Sequence, residues 1–207
     1  MSAHLQLQLP WHALWPAMLL VVLAGLWLRI RFAEAADFGW PNRITLLRAV
    51  LLVQLVACLR VPVDLRLAWI ATLIAAVAAL LDAVDGAVAR RLGQNSDFGA
   101  RFDMETDGAF VLLLSVLVWH LNKVGLWVVL CGVLRPALLL AMRLWPVLRR
   151  PLPPSGRRRQ VAALQMVLLP LALCPLVSPA TATLLCAVAV LSLLGSFAID
   201  LRWLVRS

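Results

Sequence analysis

The chain has 207 residues, of which 63% are hydrophobic and only 14% charged, and it carries a formal net charge of +9. This composition excludes an ordinary soluble domain and points to one all-α, polytopic helical bundle in a membrane. The basic excess does not indicate nucleic-acid binding, because no polar domain is left to carry a basic face.

A membrane-crossing helix needs about 20 apolar residues. Seven segments read as spans, at 12–28, 46–59, 67–81, 109–121, 126–142, 161–176 and 180–199. The second and third are short and extend through polar, helix-compatible ends. Ahead of the second span, Ala33-Glu34-Ala35 has the look of a cleavage site. However, no Lys or Arg precedes Pro10, and Arg29 and Arg31 stand on the wrong flank. The expectation is an uncleaved first helix with its N-terminus outside.

Arginine placement orients the bundle. With the acidic stretch 82–107 in the cytoplasm, Arg29, Arg31, Arg43, Arg48, Arg90, Arg91, Arg101, Arg149, Arg150, Arg157, Arg158, Arg159, Arg202 and Arg206 all fall inside. Arg60, Arg66 and Lys123 fall outside, as a positive-inside topology requires. Attraction to anionic headgroups accounts for most of these cations. Trp11, Trp40, Trp69, Trp119, Trp145 and Trp203 lie near span ends and fit an interfacial belt. Cys58, Cys131, Cys174 and Cys186 form no CxxC pair and read as small core residues.

Residues 82–107 hold six of the ten acids in the chain, between two apolar runs. Carboxylates at the ends of membrane helices are costly, so the cluster reads as a functional site. Asp82 and Asp85 are three apart, and Asp103 and Asp107 four apart, so each pair shares a helix face. Between the pairs, Leu92-Gly93-Gln94-Asn95-Ser96 signals a turn. An antiparallel hairpin then brings four carboxylates together, and their mutual repulsion calls for cations. Hard divalent ions suit oxygen ligands, which gives two Mg²⁺ or Mn²⁺. Gly86, Ala89 and Gly99 leave room beside the carboxylates, and Arg90 suits a phosphate. Two other readings stay open on spacing alone. One is a hairpin neutralised by Arg90, Arg91 and Arg101. The other is a transporter gate or proton path.

The arrangement D82-x2-D85-G86-x2-A89-R90-x8-G99-x3-D103-x3-D107 resembles the full signature of the CDP-alcohol phosphotransferase family. Pro41 to Arg48 resembles that family's entry helix. The resemblance runs from about Pro41 to the C-terminus. It implies a six-helix core over 37–207, with residues 1–36 as an extra N-terminal transmembrane helix. It implies that Asp82, Asp85, Asp103 and Asp107 bind the two metals, and that Asp107 is also the catalytic base. Asn42, Arg43, Ile44, Thr45, Gly86, Ala89, Arg90, Ser96 and Gly99 would bind the donor, CDP-diacylglycerol. An acceptor hydroxyl would attack the phosphorus bonded to diacylglycerol and release CMP. The resemblance further implies a homodimer among lipids of a bacterial cytoplasmic membrane.

The acceptor is read from the arginines. Arg135 lies mid-span in 126–142, where a lone cation is costly. Arg143 follows eight residues on, about two turns. Together with Arg157, Arg158 or Arg159, they suit a second phosphate. The competing reading pairs Arg135 with an Asp of the cluster and lets Arg143 snorkel. Arg135, Arg143, Arg159 and Gln165-Met166 resemble the pattern of the phosphatidylglycerophosphate synthases, which implies acceptor binding by Arg135, Arg143 and Arg159, with sn-glycerol 3-phosphate as acceptor. Pro136 stands where an acid is usual, and Gly156-Arg157-Arg158-Arg159-Gln160 replaces a Lys-containing run. Inositol phosphate, or choline, ethanolamine or serine, are the alternatives. Outside enzymes, the alternative is a transporter or lipid-binding scaffold.

Overall fold

The computed structural model describes residues 40–92, 97–145 and 155–206. The helix expected at 12–28 and Ser96 lie outside the described residues, and for residues 85–92 the backbone alone is described. Among the described residues every regular element is helical. The helices are α1 (Trp40–Cys58), α2 (Leu65–Leu92), α3 (Asp97–His120), α4 (Leu130–Leu144), α5 (Gly156–Leu173) and α6 (Pro179–Arg206). They match the last six expected spans. The polar ends are helical too: α2 runs through Asp82 and Asp85, and α3 starts six residues before Asp103. The entry segment 41–48 is therefore the first part of α1 and not a separate element.

Local chemistry sets several of these boundaries. Asp64 Oδ1 accepts the Leu67 N–H at 2.7 Å and caps α2. Ser178 Oγ accepts the Thr181 N–H at 3.1 Å, and Pro179 follows it as the first residue of α6. At the end of α3 the Lys123 N–H bonds to Val118 O at 3.2 Å and the Asn122 N–H to Trp119 O at 2.9 Å. That pair of bonds requires a left-handed residue, and Asn122 takes it with φ 54°. The expected span 126–142 starts instead with a 3₁₀ turn, Leu126–Val129, before α4 begins.

Helix α3 is the hub, packing against α1, α4 and α5. The core between them is apolar, with Leu55, Phe110, Leu114, Leu117, Val128, Leu169 and Leu173 all buried. Leu73, Leu80, Leu184 and Leu191 face outward and are 59–67% exposed, which suits lipid and not water. Leu65–Val84, Leu126–Leu144 and Pro179–Leu204 are long and apolar enough to cross a membrane. The four cysteines are free thiols, three of them buried. Lys123 Nζ donates to Cys174 O and Val177 O at 2.7 Å each, tying the α3–α4 turn to the α5–α6 turn.

The α3–α4 crossing depends on Gly132. A Cβ there would lie 2.2 Å from Leu112 Cα, so the two backbones meet where only glycine fits. Gly132→Ala should destabilise the protein by about 1–3 kcal/mol through overpacking. A thermal unfolding scan in detergent checks this, and an unchanged midpoint would show that the crossing can relax.

Candidate functional site

The ends of α2 and α3 bring together Asp82, Asp103 and Asp107, the last two on one face of α3 as their four-residue spacing predicts. One carboxylate oxygen from each lies within 4.8 Å of the others. All three are half-buried, with side chains 31%, 41% and 33% exposed. Asp85, Gly86, Ala89 and Arg90 continue along α2 just beyond Asp82, where their side chains are not described. Gly99 sits in the first turn of α3.

The cation among these carboxylates comes from α1. Arg48 Nη1 lies 2.8 Å from both Asp82 and Asp103, and Nη2 lies 2.5 Å from Asp107. Its side chain is 2% exposed. Orientation and headgroup attraction absorbed this residue in the sequence, yet the phase of α1 marks it. Thr45, Arg48 and Leu55 fall on one helix face, and all three are buried. Arg101, offered by spacing as a neutralising partner, is exposed.

A buried cation facing three carboxylates is what holds a like-charged group together in a low dielectric. Burial lifts the Asp107 carboxyl to about 6, with the Asp103 charge adding to the rise and Arg48 opposing it. Asp107 stands just before the apolar segment that starts at 109. The donor set of three convergent carboxylate oxygens fits a hard divalent cation.

Of the entry segment, Arg43 is exposed, Ile44 half-buried and Thr45 1% exposed. Arg43 and Thr45 thus face opposite ways, and the side chain of Asn42 is not described.

Beside the cluster lies a cavity of about 340 Å³ between α3, α4, α5 and α6. Its polar lining comprises Glu105, Asp107, Arg135, Arg158, Gln165 and Ser196. Asp107 therefore belongs to both the carboxylate cluster and the cavity wall. Arg135 crosses from α4 to α3, donating to the Met104 carbonyl and, at 3.1 Å, to Glu105 Oε1. Its partner is thus an acid of the 82–107 stretch, though not one of the four aspartates. Gly108 makes room for it, since a Cβ there would sit 2.5 Å from Arg135 Nη1.

Arg143 and Arg159 are not among the lining residues, whereas Arg158 is. On α4 the lining positions are Arg135, Leu138, Leu139 and Met142. Eight residues advance the helix about 80° past two full turns, which carries Arg143 off that face. On α5 the lining runs Arg158, Val161, Ala162, Gln165 and Met166. Counting back seven from Gln165 gives Arg158 and leaves Arg159 off the face.

The site thus offers a carboxylate cluster suited to cations, one carboxylate shared with a neighbouring cavity, and two arginines in that cavity. That is the equipment for binding two phosphate-bearing molecules side by side.

Comparison with known proteins agrees with this equipment. Two curated relatives are named CDP-diacylglycerol--glycerol-3-phosphate 3-phosphatidyltransferase. The one from Salmonella choleraesuis (strain SC-B67) is 33% identical over 115 residues. The one from Escherichia coli (strain K12) is 34% identical over 112 residues. Each match covers 53% of this chain and 60% of the relative, so the chain spans less than two thirds of their length. No solved structure matches the chain. The profile of the CDP-alcohol phosphatidyltransferases matches residues 38–194, about three quarters of the sequence. This membrane protein belongs to the CDP-alcohol phosphatidyltransferase family.

Proposed function

We propose that the protein is a phospholipid synthase. It transfers the phosphatidyl group of CDP-diacylglycerol to an alcohol and releases CMP, with sn-glycerol 3-phosphate as the acceptor. The observation that carries this reading is the double membership of Asp107, in the carboxylate cluster and in the wall of an arginine-bearing cavity. The relatives' names support the same donor and acceptor.

Asp82, Asp103 and Asp107, with Asp85, would hold two Mg²⁺ or Mn²⁺ ions. Bound there, the ions supply charge neutralisation for the donor's diphosphate. Asp107 takes the proton from the acceptor hydroxyl. The freed oxygen forms its bond to the phosphorus attached to diacylglycerol, and the bond from that phosphorus to the CMP oxygen breaks. Arg48 keeps Asp107 and Asp103 in place from below. Arg135 and Arg158 hold the acceptor's phosphate, since a planar fork matches its oxygens. Gly86, Ala89, Arg90, Ser96, Gly99 and the segment Asn42 to Thr45 serve the donor. The same two arginines disfavour a cationic amino alcohol. In this reading residues 1–36 are an addition to the core, two chains form a homodimer, and the site faces the cytoplasm of a bacterial inner membrane.

The test is CMP release from labelled CDP-diacylglycerol with Mg²⁺ or Mn²⁺ and a panel of polyol phosphates and amino alcohols. Turnover with sn-glycerol 3-phosphate is expected, and silence across the panel would sink the enzyme reading. Arg135→Ala should raise the acceptor KM by roughly ten- to a hundredfold, the loss of one charge-assisted contact. An unchanged KM would favour an uncharged acceptor.

A further inference from the structure

We infer that Asp200 is a positioning residue for the anionic acceptor: it holds the Arg158 guanidinium at the wall of the cavity that ends at Asp107. This inference rests on the acceptor reading above and adds a residue to it.

The placement follows from three helix phases. On α6, Leu193, Ser196 and Phe197 line the cavity, and Asp200 continues the same face one turn later. On α5, Arg158 is the first residue of the lining face. The two helices pack against each other, which brings the acid on one next to the arginines on the other. Arg158 Nη1 lies 3.2 Å from Asp200 Oδ1, and Arg157 Nη2 donates to the same oxygen.

The two cavity arginines are held differently. Arg135 is paired with Glu105, whose side chain is 67% exposed, so water competes for that contact. Asp200 is 13% exposed, and its arginine partners are 29% and 32% exposed. A carboxylate sheltered in this way keeps a long side chain in one geometry before the ligand arrives. An acceptor phosphate then meets an arginine that is already ordered, which is the general advantage of preorganisation. Arg157 does not line the cavity, so only the Arg158 branch of this pair bears on the acceptor.

The alternative is that Asp200 only balances charge for two arginines near the membrane. That role would affect folding, donor use and acceptor use alike. Steady-state kinetics on the full chain, in lipid vesicles with CDP-diacylglycerol and sn-glycerol 3-phosphate, separates the two roles. Asp200→Asn should raise the acceptor KM about tenfold, the scale of one lost orienting contact, while kcat and the donor KM stay within about threefold. Asp200→Glu should restore most of the loss. Arg157→Gln alone should leave the acceptor KM within about twofold. Asp200→Asn leaves two cations uncompensated, which weakens the end of the bundle. The double variant Arg157→Gln/Asp200→Asn removes one charge of each sign and should show the same acceptor effect.

If the wild type turns over sn-glycerol 3-phosphate but the variants leave its KM unchanged, the Asp200 inference fails and the acceptor reading stands. A fall in all parameters together, without recovery in Asp200→Glu, also overturns it. If the wild type uses no phosphorylated acceptor, the acceptor reading fails and takes this inference with it.

Discussion

Asp107→Asn should abolish turnover while leaving donor binding largely intact. Asparagine has nearly the same shape but cannot take a proton, and the loss of a general base is worth about 10²–10⁴-fold in rate. The variant also loses one carboxylate from the cluster of Asp82, Asp103 and Asp107, so the upper part of that range is expected. Asp82 and Asp103 remain with Arg48 between them, so the fold around the cluster should survive. Labelled CMP release measures the first effect, and equilibrium binding of CDP-diacylglycerol measures the second. Normal turnover in this variant would exclude Asp107 as the base.

Arg48→Met should give the largest stability change of any single substitution near the site. The guanidinium is the cation that faces three carboxylates, and methionine fills a similar volume without the charge. Breaking a buried pair by removing one partner costs about 3–5 kcal/mol. The aspartates are about one third exposed and partly screened, which places the expected loss near the lower end, about 3 kcal/mol. Added Mg²⁺ should recover more of the unfolding midpoint in the variant than in the wild type, because a divalent ion replaces the missing positive charge. A midpoint that stays at the wild-type value would mean that the three carboxylates need no arginine.

The aspartates were legible in the sequence because helical spacing is a local property. Asp103 and Asp107, four apart, meet on one face whatever the helix packs against. Arg48 was not legible in the same way. Its role depends on which face of α1 turns toward α2 and α3, and a positive-inside pattern accounts equally well for every arginine it assigns to one side. The stripe of Thr45, Arg48 and Leu55 held the missing signal, an arginine in phase with a buried apolar face. The cavity arginines show a finer limit. Treating eight residues as two turns hid the angular drift that separates Arg143 from the cavity. Choosing Arg158 over Arg159 needed the phase of Gln165 as an anchor. Asp200 carried no motif at all, and only the packing of α5 on α6 gives it neighbours.

The contact between Lys123 and the carbonyls of Cys174 and Val177 bears on the opposite end of the molecule. Lys123 stands just past the end of α3, and from Asp107 to His120 that helix rises about 20 Å. The helix that carries two of the three clustered carboxylates is thus tied, at its opposite end, to the turn between α5 and α6. Tied there, α3 should move together with α5 and α6, rather than slide past them, when a surrounding bilayer thickens or thins.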